Sequence, residues 1–198
     1  MSNFTVVFDA CVLVPMHLRS LLMWMASSEL FRAKWSADIH DEWTRNVVKI
    51  RKKKGASDGE LAALATDIQA TRKDMDQAVR DALVTGYEEL AKTLTETSEE
   101  DRHVVAAAIV GSAELIVTYN LKDFPKAELS KFNLEAIHPD DFLSDQADLD
   151  PDKCLALVKK DRTHFKKPPI SVDDYIAILK KLDLGKFATF LEANKAKI

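Results

Sequence analysis

Two hydrophobic periods run through this chain. Phe4-Thr5-Val6-Val7-Phe8 and Leu115-Ile116-Val117 are short continuous apolar runs rich in β-branched residues, the pattern of strands buried on both faces of a parallel sheet. Leu30 to Trp35, Ala82 to Thr85 and Phe132 to Ile137 predict further short strands. Between them the period lengthens to that of a helix. Leu18, Leu21, Leu22 and Met25 mark one face of a helix over Val12 to Ala26. Ile39, Trp43, Val47 and Ile50 mark another, begun by the N-cap Ser36 and stopped by Gly55. Ser57 to Leu83 reads as a long polar helix with a thin stripe of Leu61, Leu64, Ala65, Ile68, Met75 and Val79. Gly86 breaks the chain before a short helix, Glu88 to Leu94. In the next helix, opening at Ser98, the run Val104-Val105-Ala106-Ala107-Ala108-Ile109 is small enough to pack closely on a sheet. A helix starts at His138-Pro139-Asp140-Asp141-Phe142. Strands alternating with helices predict an α/β sandwich with a mostly parallel sheet.

A polar, Asp-rich run from Ser144 to Pro151 predicts a boundary. It divides a domain over 1–143 from an extension over 144–198 whose helices run from Asp152 to Phe165, Val172 to Leu182 and Lys186 to Ala193. These are too few for an independent core, so they are expected to pack on the first domain or on another chain.

Composition narrows the class. The chain has 198 residues, 46% hydrophobic and 30% charged, with a formal charge of −4. This is ordinary for a soluble globular protein and gives no general basic coat for nucleic acid. A local basic patch is present at Lys49-Ile50-Arg51-Lys52-Lys53-Lys54. No apolar segment approaches the roughly 20 residues that span a bilayer, and the N-terminus lacks the pattern of a secretory signal, so a cytoplasmic protein without a membrane partner is expected. Cys11 and Cys154 form neither a disulfide framework nor a zinc-ligand spacing and read as packing residues.

The candidate chemistry lies in carboxylates at element ends. Asp9 follows the first strand, Glu42 borders the apolar stripe of its helix, Asp101 lies in the first turn of the Ala-rich helix, and Asp123 follows the Leu115 strand. Each has a plain alternative: Asp9 begins a turn, Glu42 pairs with Arg45 or Asn46 on the surface, and Asp101 closes a capping box with Ser98. All four, however, can reach the carboxyl edge of a parallel sheet, where such folds bind ligands. Carboxylates brought together there repel unless a cation binds them, and an all-oxygen set points to Mg2+ or Mn2+ and phosphate chemistry.

Four stretches then carry a resemblance: Phe8-Asp9-Ala10-Cys11-Val12-Leu13-Val14-Pro15, Trp35 to Asn46, Asp101-Arg102-His103-Val104-Val105-Ala106-Ala107-Ala108, and Ile116 to Phe124. As an ordered set they resemble the acidic motifs of PIN-domain nucleases, and within these the VapC-type toxins of bacterial toxin–antitoxin pairs. The tail is similar to the helical C-terminal extension of one VapC subgroup. The resemblance implies a three-layer α/β/α sandwich and a Mg2+- or Mn2+-dependent endoribonuclease that cuts structured RNA such as tRNA. It also implies inhibited translation, a cognate antitoxin and a homodimer. Carried over by motif, Asp9, Glu42 and Asp101 form the acidic triad, with Asp9 and Asp101 on the metal. Asp123 is the fourth acid, since Asn120 stands where many PIN domains have Asp. Ala10 and Cys11 stand where many have Thr or Ser followed by Asn, and Thr118 offers a hydroxyl. Arg45, Arg51, Lys52 and Lys53 are the expected RNA contacts.

Two other readings compete. A phosphoryl-receiving module also gathers acids and Mg2+ at a sheet edge, but wants paired acids where Ala10 and Cys11 follow Asp9. A catalytically silent PIN-like domain would bind RNA or a protein and use its acids as caps.

Overall fold

The computed structural model describes residues 4–198. Its centre is the strand β1 (Thr5–Phe8), every residue of which is buried. The chain then forms α1 (Ala10–Leu13), α2 (Met16–Ser27), β2 (Arg32–Ser36), α3 (Ala37–Lys53), α4 (Asp58–Ala78), β3 (Leu83–Val84), α5 (Glu88–Ala91) and α6 (Arg102–Val110). It continues through β4 (Leu115–Val117), α7 (Lys126–Leu129), β5 (Glu135–Ile137), α8 (Pro139–Leu149), α9 (Pro151–His164), α10 (Val172–Lys181) and α11 (Gly185–Ala193).

The sheet is parallel throughout, in the order β3-β2-β1-β4-β5. Val7 pairs with Lys34 on one side and Ile116 on the other. The chain leaves β1 towards β2 and β3, then crosses back to β4 and β5. Right-handed crossovers in opposite directions put α2 and α6 on opposite faces and complete three layers. They also create a switch point between β1 and β4, the place where open α/β sheets take ligands.

Local sequence explains most boundaries. Ser36 ends β2 and caps α3, its hydroxyl oxygen accepting from the Ile39 N–H at 3.2 Å. Pro15 interrupts the expected first helix into α1 and α2, because it cannot donate an amide to the helical ladder. The long helix ends at Ala78 rather than Leu83, and Leu83–Val84 joins the sheet instead. That helix opens with a full capping box from Ser57 and Glu60. Ser98 and Asp101, by contrast, form a turn ahead of α6, in which the Asp101 carboxylate accepts from the Ser98 hydroxyl at 2.5 Å.

The polar run at Ser144 is not a linker. Ser144 to Leu149 continues α8, whose Phe142, Leu143 and Ala147 are buried, and Asp150 turns directly into α9 by accepting from the Lys153 N–H at 3.1 Å. Asp145 and Asp148 face outward while Gln146 is buried with Ala147, so the run is one side of a helix and not a loop. Phe142 packs edge-on against Phe8 and Phe31 and so belongs to the sheet's own core. The last helices pack on this domain: α9 lies along α2, and α11 along α8. Asp161 of α9, fully buried, accepts from the Ser20 hydroxyl of α2 and from the Tyr175 hydroxyl of α10. Among the described residues, no helix is long and apolar enough to cross a membrane.

Candidate active site

Asp9 leaves β1 at the switch point with its side chain buried, and its own N–H donates to the Val117 carbonyl at the end of β4. Two side chains hold the same carboxylate oxygen. The Thr118 hydroxyl donates to Asp9 Oδ2 at 2.6 Å, and the Cys11 thiol donates to it at 3.0 Å. Thr118 also accepts the Asn120 N–H at 2.9 Å on a lone pair, which leaves its single proton for Asp9. Cys11 therefore does more than pack. Its sulfur receives the Tyr119 N–H at 3.2 Å and ties the loop after β1 to the loop after β4.

The remaining acids approach from separate segments. Glu42, half-buried on α3, has Oε2 3.4 Å from Nε2 of His103 on α6. Asp101 is the residue before α6, and Asp123 sits in a short 3-10 turn after β4 where its N–H donates to the Asn120 carbonyl at 2.9 Å. Burial raises the pKa of Asp101. The Ser98 bond opposes this, and the negative charges of Asp9, Asp123 and Glu42 push it further up. Burial likewise raises Asp9, against the bonds from Cys11 and Thr118 and with a contribution from Glu42. The four acids thus share one electrostatic neighbourhood. Among the described residues, no three His, Cys, Asp or Glu side chains stand close enough to hold an ion as they are arranged.

The approach to Asp101 depends on a residue that the sequence reading passed over. Glu128 of α7 is buried and accepts the Thr97 hydroxyl and the Glu96 N–H, the latter at 3.3 Å. Burial would raise its pKa, but these donors outweigh it and hold the carboxyl below its usual range. Its only sequence signal is a carboxylate in a turn-rich stretch, and that signal is weak.

The basic residues divide between two directions. Arg45 lines a hollow between α3 and α4 with Asp41, Val48, Ile68 and Arg72. Arg51 stands about two and a half helical turns beyond Glu42, on the opposite side, where it faces the α4 residues Glu60 and Asp67. Arg51 thus points away from Glu42, while Arg45 follows Glu42 by less than one turn. Lys53 lies about three turns beyond Glu42 and shares its stripe with Lys49, about two turns on. Lys49, Lys52 and Lys53 are exposed. Lys49, the first residue of the basic run, thus joins the candidate RNA contacts by helical position.

A family model described as PIN domain matches residues 5–122, and one described as VapC50 C-terminal domain matches residues 139–193. A protein named Putative ribonuclease VapC50, from Mycobacterium tuberculosis (strain ATCC 25618 / H37Rv), is 44% identical over 77 residues. The aligned stretch is 39% of this chain and 45% of that protein, so it spans less than half the relative's length. No solved structure matches significantly.

Proposed function

Since this chain belongs to the PIN-domain family, we propose that it is a divalent-metal-dependent endoribonuclease of the VapC toxin type, acting on structured RNA. Transfer RNA is the first substrate to test, with inhibition of translation as the consequence. The placement of four acids supports the reading: Asp9 and Asp123 follow the adjacent strands β1 and β4, Asp101 precedes α6, and Glu42 of α3 stands beside His103 of that helix, so carboxylates from separate segments face mutual repulsion. Such mutual repulsion is relieved by a cation.

The donor chemistry, all carboxylate oxygen, suits a hard cation, with water completing a shell that the described side chains as arranged do not. Asp9 and Asp101 would hold Mg2+ or Mn2+ in part through water, as these ions keep several of their own waters. When bound, the ion supplies an activated water for in-line attack and neutralises the leaving oxygen. The chain's own residues orient and exclude. Thr118 and Cys11 give Asp9 one carboxylate orientation. Glu42, beside His103, and Asp123 would direct the attacking water, and Asn120 would line the site. Lys49 and Lys53, on the Glu42 stripe, and Arg45, under one turn from Glu42, would meet phosphates near the acids, with Lys52 and Arg51 engaging more distant RNA. Their contribution falls as salt rises, because phosphate binding releases counterions.

The partners this reading implies are an antitoxin, a second copy of the chain and RNA, in the cytoplasm. It divides the chain into a nuclease domain over 1–143 and an extension over 144–198, with α8 shared between them.

The test is cleavage of a total tRNA pool by wild type and by Asp9→Asn, each with Mg2+, Mn2+ or EDTA. Metal-dependent fragments with 5′-phosphate ends, from wild type alone, are expected. Equal cleavage by both proteins, or products ending in a 2′,3′-cyclic phosphate, would overturn the mechanism. Tight RNA binding without cleavage under every condition would favour a silent binding domain.

A further inference from the structure

One side chain joins the candidate site to the C-terminal helices. Tyr119 lies between Thr118, which holds Asp9, and Asn120, and its backbone N–H donates to the Cys11 sulfur at 3.2 Å. Its phenol O–H donates to the Leu182 carbonyl at 2.7 Å. Leu182 closes α10, where a helix leaves carbonyls without an N–H partner of their own. The Tyr119 ring packs edge-on against His138, with centroids 5.1 Å apart.

The same turn is held from a second side. His138 caps α8, its Nδ1 accepting the Asp140 N–H at 3.2 Å, and its Nε2 stands 3.6 Å from Oδ2 of Asp183. Asp183 adopts a left-handed φ of 58°, which bends the chain sharply between α10 and α11. Asp140 then accepts the N–H groups of Lys186 and Phe187, each at 2.9 Å. The segment 182–187 is thereby stitched to the loops that follow β4 and β5.

The loop after β4 has need of such an anchor. Thr118 is still in register, its N–H donating to the Ile137 carbonyl at 3.0 Å. Tyr119 and Asn120 lie beyond the ladder, and the Thr118 hydroxyl can serve both Asp9 and the Asn120 N–H only while the turn keeps its shape.

We propose that the C-terminal helices are a working part of the site, and that Tyr119 is the positioning residue through which they act. Its bond to Leu182 holds residues 118–120, and with them the hydroxyl that orients Asp9. The kinetic consequence rests on the nuclease reading above; the structural one does not.

The test is Tyr119→Phe, which keeps the ring against His138 and removes only the O–H. Hydrogen exchange at the Tyr119 and Asn120 amides is expected to rise roughly threefold to tenfold, the size of one neutral hydrogen bond, while exchange in β1 is unchanged. Mn2+ binding, followed by calorimetry, weakens by a similar factor, and kcat on RNA falls with KM unchanged. Tyr175→Phe is the comparison, since it removes a hydroxyl bond to Asp161 within the extension. It should leave the two loop amides as in wild type. Unchanged exchange in Tyr119→Phe, or equal loosening of the loop in both variants, would overturn the proposal. A wild-type protein that cleaves no RNA would remove the nuclease reading and leave the exchange result to decide this one.

Discussion

Trp43 donates its indole N–H to Nδ1 of His40 at 2.9 Å, and so decides which nitrogen of that imidazole carries the proton. Nε2 then donates to Asp76 Oδ1 at 3.1 Å, an oxygen that also accepts the Trp35 indole N–H at 2.8 Å. The network fastens α4 to the end of the sheet around a neutral histidine.

Burial lowers the pKa of His40, against the raising effect of Asp76. In the range between the folded value and the ordinary one of about 6.5, the unfolded chain binds a proton that the folded chain refuses. The stability from this group is therefore complete above that ordinary value and is lost as pH falls towards the folded one. His17, also lowered by burial, acts in the same direction. Thermal melts from pH 7.5 to pH 5 (a range of about 2.5 units around the ordinary imidazole pKa) should show a falling midpoint, with a shallower slope in His40→Gln. An identical slope in the variant would show that His40 titrates as if exposed.

Asp9 has the opposite sign. Its folded pKa is raised, so its contribution to stability is present at low pH and lost as pH rises through the carboxylate range. Asp9→Asn can still accept the Thr118 and Cys11 bonds through its amide oxygen while removing the buried charge. In EDTA at neutral pH it should melt a few degrees above wild type and show no cleavage. Mn2+ should raise the melting point of wild type and leave that of the variant unchanged. A lower melting point for the variant in EDTA would mean that the charge is already compensated by the protein.

Asp140 caps α11 from another helix, accepting two of its backbone N–H groups while itself buried. Asp140→Ala should cost about 1–2 kcal/mol, at the upper end for a lost cap. The measure is the urea midpoint, and faster exchange confined to α11 would identify the cause. A loss below about 0.5 kcal/mol, the bottom of that range, would show that water replaces the carboxylate.

Glu128 receives the Thr97 hydroxyl and the Glu96 N–H in a buried position. Glu128→Gln removes the charge that strengthens these bonds and should cost about 1.5–3 kcal/mol, the range for hydrogen bonds to a charged group. Residues 95–98 should exchange faster, and cleavage should fall because Asp101 follows directly on that loop. Unaltered exchange there would show that the loop holds its shape without Glu128.

Much of the candidate site was legible because its acids sit where local rules put them. Asp9 ends an apolar run, Asp101 precedes an Ala-rich helix, and both signals lie within a few residues of the acid. Cys11 shows the converse: as a lone small residue it resembles packing, and its polar contacts with Thr118 and Tyr119 come from more than a hundred positions away. Adjacency in the sequence groups Arg51 with Lys52 and Lys53, whereas neighbours on a helix point about 100° apart.

The sequence by itself determined the strands, the main helices, the α/β class and the acids at the carboxyl edge, because periodicity and capping are set by neighbouring residues. Only the tertiary structure decided the strand order that makes β1 and β4 the switch point, the bond from Thr118 to Asp9, and the contact from Tyr119 to the end of α10. Each of these depends on which distant segments close on one another. That closure is driven by non-directional burial of apolar surface, and it leaves no period in the chain to be read.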